Sequence, residues 1–127
     1  MWRLLGVALV VVLTGCAPLA PKAESESSDA PTYTELQSVA AAMNCNGTFS
    51  REQEPMAFAS ETGGCELLSG ESVTINLFNN DTARDKYVDL GINNGAAYVV
   101  GPGWVVECTT RSAQDQAAIL TKGKERG

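Results

Sequence analysis

Ala97-Tyr98-Val99-Val100-Gly101-Pro102-Gly103-Trp104-Val105-Val106-Glu107-Cys108 is two short apolar runs joined by a turn triplet. Each run is rich in β-branched and aromatic residues, which suit a pleated, half-buried surface. The Gly101-Pro102-Gly103 triplet punctuates them, so the stretch predicts an antiparallel hairpin. Trp104, Val106 and Cys108 then share one face, because side chains alternate along a strand. Upstream, residues 72–78 repeat the pattern: Val73, Ile75 and Leu77 alternate with Thr74 and Asn76. Between these runs, Asn79-Asn80-Asp81 opens a predicted helix, with Asn80 or Asp81 capping its exposed amides. Ala83, Tyr87 and Leu90 mark the inner face of that helix, and Gly91 or Gly95 ends it, with Asn93-Asn94 in the turn. Downstream, Ser112 with Asp115 predicts a third helix carrying apolar Ala117, Ala118, Ile119 and Leu120. Lys122 and Lys124 sit at its C-terminal end, where positive charge is favoured.

Nearer the N-terminus, Thr32 with Glu35 fits a capping box. Leu36, Val39, Ala40 and Met43 follow at helical spacing and make one apolar face. Asn44, Asn46 and Gly47 end this first helix, and Asn46-Gly47-Thr48 reads as a turn. Residues 48–55 are polar and predict a loop, residues 56–60 a short strand, and Thr62-Gly63-Gly64 a turn. Residues 65–68 predict a further strand and residues 69–71 another turn. The order predicts an α+β domain over residues 32–127, with a small antiparallel sheet of about four strands and helices packed on one face.

The first 31 residues have another character. Arg3 supplies a positive charge, residues 4–13 are uncharged and apolar, and Leu13-Thr14-Gly15-Cys16 closes the run. This resembles the lipobox of bacterial lipoproteins. The resemblance implies a signal peptide over residues 1–15, cleavage after Gly15 and acylation of Cys16. A spanning helix needs roughly 20 apolar residues, and Gly15, Cys16 and Pro18 interrupt this run well short of that. Two acyl chains acting together give stable anchoring. Residues 16–31 then form the lipidated cysteine and a tether. Pro18, Pro21, Pro31 and Ser25-Glu26-Ser27-Ser28 make it too polar to bury a core. Such a segment spans roughly 20 Å r.m.s., which keeps the domain close above the membrane.

Composition narrows the chemistry. The 127-residue chain carries net charge −6, or −7 without Arg3, an acidic balance that argues against nucleic-acid partners. Histidine is absent, which removes His-dependent triads, His general bases and most catalytic zinc sites. With Cys16 committed to lipid, Cys45, Cys65 and Cys108 make at most one internal bridge. Cys45–Cys65 closes the shorter loop and staples the first helix to a strand; Cys65–Cys108 is the alternative. The former leaves Cys108 as a free thiol, more often a buried side chain than a reactive one. No Cys-x-x-Cys spacing exists, so disulfide exchange chemistry is not indicated.

Asp81, Asp85 and Asp89 fall at i, i+4 and i+8, one carboxylate stripe on a helix face. Calcium wants six or more oxygens from a bent loop, so a solvated face is the simpler reading and no metal is expected. Trp104 after the turn, with Tyr98 across the hairpin, either presents aromatic surface to a ligand or anchors the core. Tyr98, Trp104, Asp81, Asp85 and Asp89 are the candidate binding surface. No phosphate-binding spacing occurs among the glycines, and no cofactor is expected. Residues 65–106 resemble a pattern in small exported proteins of actinobacteria and their phages. It runs from Cys65 through a strand ending in Phe78 and a helix carrying Arg84-Asp85 to Tyr98-Val99-Val100-Gly101-Pro102-Gly103-Trp104-Val105-Val106. That resemblance implies an exported fold and no activity. The expected function is a non-catalytic binding module, lipid-anchored on the extracytoplasmic face of the cell membrane, engaging an envelope protein or polymer. A phage- or prophage-encoded lipoprotein mediating superinfection exclusion is the alternative.

Overall fold

A computed structural model describes residues 30–127. The predicted leader, Cys16 and the tether up to residue 29 lie outside the described residues. The class is α+β, as the sequence predicts: a six-stranded antiparallel sheet with three helices packed against it. The strands are β1 (Ser50–Arg51), β2 (Glu61–Glu66), β3 (Ser72–Leu77), β4 (Ala97–Gly101), β5 (Trp104–Cys108) and β6 (Lys124–Arg126), in the spatial order β1-β2-β3-β5-β4-β6. The helices are α1 (Leu36–Ala42), α2 (Asp81–Asn93) and α3 (Arg111–Thr121).

The predicted hairpin lies inside the sheet, flanked by β3 on one side and β6 on the other. Gly101 pairs with Trp104, so the turn proper is Pro102-Gly103. Pro102 pre-sets the first turn position, and Gly103 takes the positive φ (73°) that the second demands. On β3, β4 and β5 one set of alternate residues, including Val73, Ile75, Leu77, Val99, Trp104 and Val106, packs with α1 and α3. The other set, including Tyr98, Val100 and Val105, packs with Tyr87 and Val88 of α2. The prediction of helices on one face is therefore corrected: α2 covers the opposite face from α1 and α3. A sheet buried on both sides explains why β4 and β5 are nearly continuous apolar runs.

Two strands beyond the predicted four flank the sheet. β6 uses residues expected to end the third helix. Lys122 takes a left-handed conformation (φ 64°) that terminates α3, and Lys124 enters β6, paired with Val100. β1 lies in the predicted loop. The predicted turn Thr62-Gly63-Gly64 is instead the middle of β2, and the strand expected at residues 56–60 is irregular loop. Gly63 is glycine for room: a Cβ there would stand 2.7 Å from the Phe49 ring and 2.9 Å from the Ser50 carbonyl oxygen.

Helix caps also differ from expectation. Thr32 and Glu35 form no capping box, and α1 begins at Leu36 with no side-chain cap hydrogen bond. Its apolar face is nonetheless the predicted one, with Leu36, Val39, Ala40 and Met43 fully buried. Asn80 caps α2 as expected, accepting from the Ala83 N–H at 2.8 Å. Thr110, not Ser112, caps α3. Ile119 faces solvent, while Ala113, Gln114, Ala117 and Thr121 form the buried stripe of α3. Ala30 and Pro31, read as the end of the tether, belong to the domain: Ala30 is buried, and the Pro31 carbonyl accepts from the Trp104 indole.

Candidate functional site

The five residues predicted as a binding surface are not brought together. Trp104 is completely buried on the α1/α3 face, its ring edge-on to Tyr33 at 5.3 Å. Its indole is an anchor, and no ligand surface forms there. Tyr98 lies on the other face and pairs in register with Glu107, not with Trp104. Asp81, Asp85 and Asp89 are exposed but engaged. Asp81 accepts from the Gly103 N–H at 2.9 Å and pairs with Arg84 at 3.1 Å; Asp85 pairs with Arg84 at 2.9 Å, and Asp89 with Arg126 at 3.6 Å. Among the described residues no group of three or more His, Cys, Asp or Glu side chains is placed to hold a metal ion.

Cys45 and Cys65 form a disulfide, their Cα atoms 5.7 Å apart, which ties the end of α1 to β2. The alternative pairing of Cys65 with Cys108 is excluded by register. Val73 of β3 stands between them, paired with Cys65 on one side and Cys108 on the other. Two strand spacings are about 10 Å, beyond the roughly 7 Å a disulfide tolerates. Cys108 is a buried free thiol. Burial, then the negative charges of Glu107, Glu125 and Glu71, push its pKa up to about 12. It stays a thiol at neutral pH and makes a poor nucleophile. In native protein at pH 8 we expect Cys108 to resist iodoacetamide and to react fully once the chain is unfolded; rapid native labelling would contradict its burial. The folded thiol keeps its proton until about pH 12, whereas an unfolded one releases it near the ordinary thiol value of 9.0. Between those values the folded state binds more protons, so stability falls as pH rises. Tyr98, pushed up to about 12 by burial and by Glu107, adds to the same loss from pH 10.0 upward. Melting temperature should decline above about pH 9, and Cys108→Ala should remove the part that sets in earliest.

A different cluster has the features of a site. It lies where α2 and the loop before β2 meet the sheet. The Met56 N–H donates to Thr62 Oγ1 at 2.8 Å, and the Thr62 hydroxyl donates to Asn76 Oδ1 at 2.6 Å. Asn76 Nδ2 donates to the Tyr87 oxygen at 3.3 Å, and the Tyr87 hydroxyl donates to Glu107 Oε1 at 2.5 Å. Sheet register sets the relay up: Thr62 faces Asn76 across β2 and β3, and Glu107 lies beside Thr74 and Tyr98. Every polar atom inside such a buried chain needs its partner. Burial, reinforced by the Glu107 hydrogen bond and charge, raises the Tyr87 pKa well above 10.0, so its hydroxyl remains a donor.

The relay ends in a recess of about 270 Å³ lined by Met56, Ala57, Phe58, Tyr87, Leu90, Gly91, Asn94, Tyr98 and Glu107. Tyr87 and Tyr98 stand 5.6 Å apart at its base. Its rim is apolar and open, with Met56 45%, Phe58 48% and Leu90 54% exposed. These are three of the six large hydrophobic side chains exposed in the described domain. Leu90 was predicted to face inward, but the buried side of α2 is centred on Tyr87 and Val88. Phe58 has φ 69°, a conformation rare for a bulky residue and costing about 1–3 kcal/mol. Backbone strain spent on holding an aromatic ring half in water is the kind of outlier that clusters at ligand clamps.

No protein-family model, curated protein or solved structure matches the chain. Of the predicted site residues only Tyr98 belongs to the recess. Met56, Phe58, Tyr87, Leu90 and Glu107 were missed as a set, though one signal was available. Glu107 interrupts the run Trp104-Val105-Val106 inside an otherwise apolar hairpin, and a carboxylate in a central strand needs a reason.

Proposed function

We propose that this protein is a lipoprotein held at the extracytoplasmic face of the cell membrane by acylated Cys16, and that its domain is a non-catalytic binding module. Its partner is an envelope protein or polymer, engaged through the Glu107 recess. The observation that carries this reading is the pairing of a half-exposed apolar rim with convergent polar groups at one concave place. Two features support the location. Leu13-Thr14-Gly15-Cys16 follows an apolar run too short to span a bilayer. The Cys45–Cys65 disulfide suits an oxidising compartment. No helix among the described residues is long and apolar enough to cross a membrane. A binding role is also the one the chemistry favours, since both recess tyrosines hold their protons and the buried thiol is on the opposite face.

Two experiments test the reading. Cys16→Ala should move the protein out of the membrane fraction; retention after a carbonate wash would refute the acyl anchor. A photo-crosslinking amino acid in place of Phe58 should give a discrete adduct in intact cells. The same group in place of Ile119, exposed on α3 across the sheet, should not. Equal labelling from both positions would refute the recess as the contact site.

A further inference from the structure

We propose that the recess receives one basic side chain of a partner polypeptide, its cation on Glu107 and its aliphatic stem against Met56, Phe58 and Leu90. This rests on the binding-module reading and narrows it to a chemistry. Three observations carry it.

Charge comes first. Glu107 lines the recess, and its Oε1 accepts only from Tyr87. Among the described residues, no basic side chain pairs with it. Of the basic residues on this face, Arg84 is held by Asp81 and Asp85 and Arg126 by Asp89, and among the described residues neither Lys86 of α2 nor Lys124 of β6 forms an ion pair with Glu107. Glu107 is thus a carboxylate with a neutral donor on one oxygen and no internal counter-ion, in a chain already carrying −6. An anion in partly apolar surroundings is best satisfied by a cation brought from outside.

Size comes second. A volume of about 270 Å³ falls just under the range of roughly 300–1,000 Å³ typical of small-molecule and cofactor pockets. It suits a single inserted side chain whose backbone stays on the rim. The third observation is the wall chemistry. Long basic side chains carry an apolar stem and a charged tip, and the recess has that order reversed, apolar at the mouth and acidic at the base. Tyr87 and Tyr98 add aromatic surface beside the charge, which favours cations further. A neutral apolar side chain would fill the mouth and leave Glu107 desolvated with only its Tyr87 hydrogen bond.

The test uses the mature acylated protein, from Cys16 onward, in detergent micelles, labelled at methionine methyl groups. Met56 reports the recess, and Met43, buried in the core on the other face, reports the fold. The probes are the blocked tripeptides Ala-Lys-Ala and Ala-norleucine-Ala, which differ in the terminal amine. The lysyl peptide should shift the Met56 methyl saturably and bind at least about tenfold tighter than the norleucyl peptide, a ratio equivalent to about 1.4 kcal/mol. In Glu107→Gln, whose amide oxygen still accepts from Tyr87, that preference should vanish while the Met43 signal stays in place. Equal binding of the two peptides to the unmodified protein overturns the proposal without needing any variant to fold. Undiminished lysyl preference in Glu107→Gln, or no Met56 shift with either peptide, overturns it too. If the Phe58 adduct survives any of these outcomes, the binding module stands and only the cation is wrong. If the adduct is lost as well, both fall.

Discussion

Replacing Trp104 by Ala should lower the unfolding free energy by about 3–5 kcal/mol, the cost of removing a large core aromatic. The indole is completely buried on the α1/α3 side. Its ring packs in a slot shaped by two glycines distant in sequence. A Cβ on Gly101 would stand 2.1 Å from the indole, and one on Gly123 would stand 2.6 Å from it. Tyr33 meets it edge-on, and its N–H donates to the Pro31 carbonyl at 2.8 Å. Trp104→Ala empties a slot walled in part by glycine backbone, which can close only in part. It also strands a carbonyl and frees the segment from Ala30 to Tyr33. A domain this size is stable by only about 5–15 kcal/mol, so much of its margin would go. Trp104→Phe separates the two contributions, because it keeps an aromatic in the slot and loses the donor. Its cost should be smaller. Urea denaturation of both variants decides the matter. A loss below about 1 kcal/mol for the Ala variant, less than a core truncation costs, would mean that the indole is not the anchor described.

The same residue shows what the sequence made legible. Strand periodicity placed Trp104, Val106 and Cys108 on one face, and they are there. Strict alternation in β3 and the Asn80 cap of α2 were equally readable, because both are local rules that packing reinforced. The edge strands were not. β1 has two residues and β6 three, too few for any period to register. Gly63-Gly64 looked like a turn because glycine usually marks one. Its actual role, leaving space for Phe49, depends on a neighbour about 14 positions away, and such close approaches are what strand glycines often serve. The one-face reading failed because a carboxylate, an asparagine and a tyrosine on the second face imitate a solvated surface. Thr62, Asn76, Tyr87 and Glu107 are polar by type, yet Thr62 and Asn76 are fully inside, satisfied by one another. The recess was invisible for the same reason: it is made by loop, helix and two strands, and no spacing within the chain encodes their meeting.

Removing the Cys45–Cys65 bridge, by changing both cysteines to Ala, should cost about 3 kcal/mol in the chain-entropy account of a loop this long. The two residues are 20 apart in sequence. The bridge matters more than its loop length suggests, because of what it ties. α1 is a seven-residue helix with no side-chain cap hydrogen bond, and a helix that short does not persist by itself. It is held by its apolar face, Leu36, Val39, Ala40 and Met43, and by the disulfide at its end. Without the bridge, α1 and the Ala30 to Tyr33 segment packed under it should open before the sheet does. Amide exchange would then quicken first in α1, while the amides of β3, β4 and β5 keep their protection. Met56 and Phe58 lie within the loop that the bridge closes, but Met56 is held to β2 by its hydrogen bond to Thr62, so the Met56 methyl environment should be unchanged in the double variant. A loss spread evenly over both faces would mean that the two packed layers unfold as one unit and that the recess depends on the staple. Cys65→Ala alone is the harsher change, since it leaves Cys45 as a second thiol, which dissolved oxygen can oxidise to a disulfide with Cys108 or with another chain once the chain opens. Its unfolding should be the less reversible of the two.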